Sequence, residues 1–203
     1  MKFKNVVFLK SCKKAADFPK YPYPEFAFLG RSNVGKSSLI NMITGIKNLV
    51  KTGSRPGLTQ LVNFFIADDK ISIVDLPGYG YAKAPEEIRS SFMPMIKSYI
   101  AARENLKLAF LLIDIRRVPD EREKDILGLL ANAKVPIAII MTKCDKLSNN
   151  QIQSAIAKTT KFFEIEPDSV FITSAETQKG KKEILGLIFE FSKATDSNTP
   201  YSI

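Results

Sequence analysis

Eight consecutive residues near the start of the chain, Gly30-Arg31-Ser32-Asn33-Val34-Gly35-Lys36-Ser37, have the types and order that phosphate chemistry requires. Gly30 and Gly35 let the backbone curl so that successive N–H groups point at phosphate oxygens, while Lys36 brings a point charge to the β- and γ-phosphates. Ser37 offers a hydroxyl to Mg²⁺. The apolar run 26–29 ahead of the loop reads as a buried strand, and the amphipathic stretch behind it starts a helix whose positive N-terminal dipole faces the phosphates. Strand, loop and helix in that order predict binding of a nucleoside triphosphate.

Four further segments narrow the nucleotide. Asp75-Leu76-Pro77-Gly78 sits at the end of a predicted strand, where the carboxylate can hold Mg²⁺ through water and the Gly78 N–H can meet a γ-phosphate. Thr142-Lys143-Cys144-Asp145 follows the apolar run 137–141. An aspartate there accepts two hydrogen bonds from the guanine ring N1–H and exocyclic amine, a donor pair that adenine lacks. Thr173-Ser174-Ala175-Glu176 follows the last predicted strand, so the Ala175 N–H can reach guanine O6. Arg55-Pro56-Gly57-Leu58-Thr59-Gln60, running into Leu61, supplies a mobile loop whose Thr59 completes the Mg²⁺ shell when a γ-phosphate is present. Each segment alone is ordinary turn chemistry. All five in chain order, each at a strand end, select GTP and GDP, with Mg²⁺ held by Ser37, Thr59 and Asp75. Two other readings remain open on these residues: an ATP-dependent kinase or ATPase on the same phosphate loop, and a basic RNA-binding module in which nucleotide is structural.

Such a site needs a scaffold with strand ends on one side. The chain provides alternating short apolar runs and amphipathic stretches, with strands expected over 25–29, 61–67, 71–75, 108–114, 137–141 and 170–173. Helices are expected over 36–44, 86–103, 120–133, 149–163 and 179–192, with Pro94 predicting a kink or an offset start in the second. This is an α/β fold of the phosphate-loop type, a mostly parallel sheet with helices on both faces. Asp68-Asp69 is a compact turn, so the strands on either side should pair antiparallel at one side of the sheet. Residues 1–24 read as an N-terminal extension with an extra strand over 6–9 and an extended connector, 25–193 as the nucleotide-binding domain, and 194–203 as a polar tail.

Composition removes several alternatives. The 203 residues contain no histidine, which excludes histidine general bases, histidine metal ligands and Ser-His-Asp triads. Catalysis must therefore run on positioning, metal and charge. Two distant cysteines, Cys12 and Cys144, read as free thiols in a reducing compartment. The longest apolar runs, 108–113 and 135–141, are strand-sized, and the N-terminal apolar stretch is too short for a secretory signal, so a cytoplasmic monomer without membrane attachment is the default. Thirty Lys and Arg against 21 Asp and Glu give a formal charge of +9, which favours a polyanionic partner.

The phosphate loop, the Pro-Gly-x-Thr-Gln segment, Asp75-Leu76-Pro77-Gly78-Tyr79-Gly80-Tyr81-Ala82 and Thr142-Lys143-Cys144-Asp145 resemble the EngB family of bacterial ribosome-assembly GTPases, also called YihA or YsxC. Asp114-Ile115-Arg116-Arg117, followed by Pro119 and Asp120, is similar to a further segment of that family. The resemblance runs over nearly the whole chain. It implies a translation-factor-class GTPase fold, GTP and Mg²⁺ binding, and a role in maturing the large (50S) ribosomal subunit, with rRNA and ribosomal proteins as partners and a downstream need in cell division and septation. Leu58 departs from the family's Lys or Arg, and Arg117 stands where His is frequent.

Where many GTPases carry a water-orienting glutamine, this chain has Tyr79. A phenol does not reproduce the carboxamide's paired donor and acceptor, so slow intrinsic hydrolysis is expected, with no catalytic role for Tyr79 or Tyr81. Lys36, Thr59, Gly78 and Asn33 are the candidate catalytic residues. Related GTPases with an asparagine at the position of Asn33 use K⁺ as a substitute positive charge; the other reading of Asn33 is a turn residue. Docking on the ribosomal particle is the second source of the missing stabilisation, and Lys179, Lys181 and Lys182, which begin the final helix where cations oppose the dipole, hint at an rRNA-facing patch.

Overall fold

The computed structural model describes residues 2–51, 61–80 and 86–193, the side chains of 86–89 excepted. The strands are β1 (Val6–Cys12), β2 (Glu25–Gly30), β3 (Val62–Ala67), β4 (Ile71–Asp75), β5 (Leu106–Asp114), β6 (Ile137–Thr142) and β7 (Val170–Ile172). The helices are α1 (Lys36–Thr44), α2 (Glu86–Ala101), α3 (Glu121–Asn132), α4 (Asn149–Phe163) and α5 (Lys181–Lys193). One seven-stranded sheet has the order β1-β3-β4-β2-β5-β6-β7. β3 runs antiparallel to both of its neighbours, β1 and β4, and the other pairings among the described strands are parallel. The expected compact turn is present: Asp68 and Asp69 have φ of 53° and 52°, left-handed values that suit a tight hairpin. The Asp68 carboxylate also accepts from the backbone N–H groups of Lys4 and Asn5, which ties the chain start to the sheet edge. The extra N-terminal strand is longer than its sequence suggests, 6–12 rather than 6–9.

Because β2 and β5 lie in the middle of the sheet, both of their faces are covered and they read as near-continuous apolar runs. One face packs Phe28, Phe110 and Ile140 against Leu39, Ile40 and Ile43 of α1 and Ile184, Leu185 and Ile188 of α5. The other packs Ala27, Leu29 and Leu111 against Phe92, Ile96 and Tyr99 of α2 and Ile126 and Leu130 of α3. Helix α2 continues across Pro94, and α5 begins at Lys181, so Lys179 precedes the helix.

At the N-terminal end of β2, away from the predicted loops, Glu25 is fully buried. Its carboxylate accepts from the Tyr21 hydroxyl, from the Tyr99 hydroxyl at 2.5 Å and from Arg103 at 2.6 Å. Arg103 also lies over the Tyr21 and Phe64 rings. Removing the guanidinium leaves a buried carboxylate without its charge partner, so Arg103→Ala should cost about 3–5 kcal/mol of stability in urea unfolding. A loss under about 1 kcal/mol would show that the two tyrosines suffice.

Candidate phosphate and base site

Parallel strands deliver their connecting loops to one edge, and the predicted segments follow the carboxyl ends of β2, β4, β6 and β7. The loop after β2 crosses to α1 through Asn33 at φ 64° and Gly35 at φ 108°, and Gly35 caps the helix. Gly30 differs from expectation. Its backbone is not left-handed; instead a Cβ there would lie 2.8 Å from Val34 and 3.0 Å from Leu112, so glycine is required by close packing rather than by curl. Lys36 Nζ makes an ion pair with the Asp75 carboxylate, which brings the expected phosphate ligand and the expected metal ligand together. Ser37 follows Lys36 in the first turn of α1.

Two residues at the end of β6 hold the phosphate loop in place. The Thr142 hydroxyl, buried, donates to the Val34 carbonyl at 2.5 Å, and Lys143 Nζ donates to the Asn33 carbonyl at 2.6 Å and to Asp114 Oδ2 at 3.0 Å. Asp114 also accepts from Arg116 Nε at 2.9 Å and Nη2 at 2.7 Å. Burial alone would raise the Asp114 pKa, but the hydrogen bonds from Arg116 and Lys143 outweigh it and hold the carboxyl well below the usual carboxylate range. Val34, Leu76, Cys144 and Thr173 are buried, so their side chains frame the loops. Pro77 is buried as well. Burial pushes the Cys144 thiol up, consistent with an inert filler.

A cleft of about 170 Å³ opens beside Gly35, Lys143, Asp145, Thr173 and Ala175. Asp145 Oδ1 accepts from the Ser174 hydroxyl at 2.6 Å and Oδ2 pairs with Lys146 at 2.9 Å. The Ser174 bond, followed by that of Lys146, holds the carboxyl below its ordinary pKa, so it is an ionised acceptor at neutral pH. Ser174 is itself fixed by its N–H to the Lys179 carbonyl at 3.1 Å.

Residues 76–80 run beside the phosphate loop. Ser32 N–H donates to the Tyr79 carbonyl at 2.7 Å, and the Ser32 hydroxyl to the Gly78 carbonyl at 3.2 Å. Arg31 donates to Asp120 at 2.8 Å, and the Tyr79 hydroxyl to Glu123 at 2.8 Å. Leu61 is half-buried ahead of β3, whereas Gly57, Leu58, Thr59, Gln60 and Tyr81 lie outside the described residues. Sequence reasoning missed Glu123 and assigned no part to Asp114. The spacing Asp120-x-x-Glu123 is a readable capping-box signal for α3, and the structure has that box.

The geometry agrees with the chain's likenesses. A family model described as 50S ribosome-binding GTPase matches residues 25–143. The probable GTP-binding protein EngB of Geobacter sp. (strain M21) is 42% identical over 197 residues, 97% of this chain and 92% of that protein. The protein of the same name from Desulforamulus reducens (strain ATCC BAA-1160 / DSM 100696 / MI-1) is 45% identical over 193 residues, 94% of each. A crystal structure of a probable GTP-binding protein engB matches with a TM-score of 0.70 at 27% identity, covering 83% of this chain and 98% of that one. With its loops, its cleft and its full-length relatives in agreement, the chain belongs to the EngB family of GTPases.

Proposed function

We propose that this GTPase is a guanine-nucleotide switch in the assembly of the large (50S) ribosomal subunit, acting in the cytoplasm through residues 25–193 as its nucleotide domain, with normal cell division and septation depending on it. The observation that carries the nucleotide half is the ionised Asp145 carboxylate, held by Ser174 in the lining of the cleft beside the phosphate loop. The ribosomal half is supported by the matching family's description as ribosome-binding and by the formal charge of +9, suited to rRNA. In this reading Asp145 selects guanine, the Ala175 N–H meets its O6, and Gly30 to Ser37 cradle the phosphates. Lys36 turns from Asp75 to the β- and γ-phosphates, which frees the carboxylate. The hydroxyl of Ser37 and the carboxylate of Asp75 form an all-oxygen donor set near the phosphate-binding lysine, which fits a hard cation, and Thr59 joins them. Bound Mg²⁺ would supply charge neutralisation for the developing phosphate oxyanion. The γ-phosphate then orders Thr59 and meets the Gly78 N–H, the switches present a ribosome-binding surface, and hydrolysis releases it.

Hydrolysis is slow because Tyr79 brings no carboxamide to the attacking water; its hydroxyl is already bound to Glu123. Asn33, exposed in the phosphate loop, is the proposed K⁺ ligand that substitutes a cation for the missing stabilisation.

Asp145→Asn should weaken GTP by about 10²-fold, the loss of two charge-assisted hydrogen bonds, and should raise tolerance for xanthine nucleotides. Titration with both nucleotides checks this, and an unchanged base preference would remove Asp145 from the site. Turnover of the wild type should be faster in K⁺ than in Na⁺, with Asn33→Ala abolishing the difference. Equal turnover in both ions would return Asn33 to the status of a turn residue.

A further inference from the structure

Beside the proposed γ-phosphate contact, Gly78 is held on both sides. On one side Pro77 is buried. On the other, Tyr79 is docked by every group it has: its carbonyl accepts from Ser32 N–H at 2.7 Å and its N–H donates to the Gly30 carbonyl at 3.3 Å. Its ring lies 4.8 Å from that of Phe92 on α2, and its hydroxyl donates to Glu123 Oε1 at 2.8 Å. A Cβ on Gly78 would sit 3.0 Å from Ser32 Cα, so this segment rides directly on the phosphate loop. Gly80 has φ 73°, and a Cβ there would lie 3.2 Å from Arg31 Nε.

Glu123 is the far end of that anchor. It is 2% exposed, and its second oxygen accepts from the Asp120 N–H at 2.9 Å, closing the capping box of α3. Asp120 in turn accepts from Arg31 of the phosphate loop at 2.8 Å, and the same Arg31 nitrogen is 3.8 Å from Glu123. Burial, then the facing carboxylate, pushes the Tyr79 phenol far above its ordinary pKa, so the hydroxyl keeps its proton and stays a donor. One carboxylate thus fixes the α3 N-terminus and the residue after Gly78, and its capping partner Asp120 fixes Arg31.

We propose that Glu123 is a positioning residue for γ-phosphate recognition: acting through the Tyr79 hydroxyl, it presets Gly78 over the phosphate loop so that its N–H is in place when a triphosphate enters. A preset donor loses little freedom on binding, and releasing it lowers affinity for the state that uses it. GDP does not reach Gly78, so its affinity is unaffected. The inference rests on the proposed contact between Gly78 and the γ-phosphate.

The test compares the affinities of GDP and a non-hydrolysable GTP analogue across Tyr79→Phe, Glu123→Ala, Glu123→Gln and the Tyr79→Phe/Glu123→Ala double variant. Retained GDP binding reports folded protein in each. Tyr79→Phe and Glu123→Ala should each lower analogue affinity relative to GDP by about fivefold or more, the effect of one buried hydrogen bond. The double variant should be no worse than Glu123→Ala alone, because both break the same link. Glu123→Gln should restore the ratio, since an amide can accept from Asp120 N–H and donate to the phenol oxygen. An unchanged ratio in Tyr79→Phe, or strictly additive losses in the double variant, would overturn the positioning role. A wild-type protein that binds neither nucleotide would instead overturn the nucleotide reading on which it rests.

Discussion

The phosphate loop carries no regular structure of its own, and two of the donors that hold it come from the end of another strand. Thr142 and Lys143 donate into the carbonyls of Val34 and Asn33, which fastens the loop after β2 to the end of β6 across the intervening β5. Asp114, at the end of β5, takes the same ammonium and gives it a fixed charge partner. Asp145, the aspartate proposed to select the base, lies two residues beyond Lys143, so the proposed phosphate and base contacts share one mechanical support.

The second support is electrostatic. Lys36 and Asp75 are matched to each other, a pairing that offsets the cost of holding two charged groups in a largely buried loop junction. In the proposed site a triphosphate and its cation would each offer one of them a new partner, exchanging one ion pair for two sets of contacts. On the other side, Arg31 and Tyr79 lean on the capping box of α3, which makes that helix part of the site's frame although it carries no predicted contact with nucleotide.

Much of this was legible in the sequence because it is local. The strand, loop and helix around Gly35 and Lys36, the hairpin at Asp68-Asp69 and the placement of four motifs at strand ends follow from periodicity and turn chemistry, and the helices lie within a few residues of expectation. What escaped is long-range. The pairing of Lys143 with the Asn33 carbonyl spans 110 positions, and that of Tyr79 with Glu123 spans 44, and neither has a local signature. Gly30 shows the same boundary: its type was readable, but its reason, the approach of Val34 and Leu112, appears only once β5 lies beside β2. The segment bearing Thr59 lies outside the described residues, so its part in the site rests on its motif.

The central claim joins a guanine-nucleotide site to a ribosomal partner through a switch that reads the γ-phosphate. The most direct measurement is co-sedimentation of the protein with purified large ribosomal subunits, and with small subunits as control, in GDP and in a non-hydrolysable GTP analogue. The account predicts retention on large subunits in the analogue and little in GDP or on small subunits. Equal retention in both nucleotides, or none on large subunits in either, would contradict it.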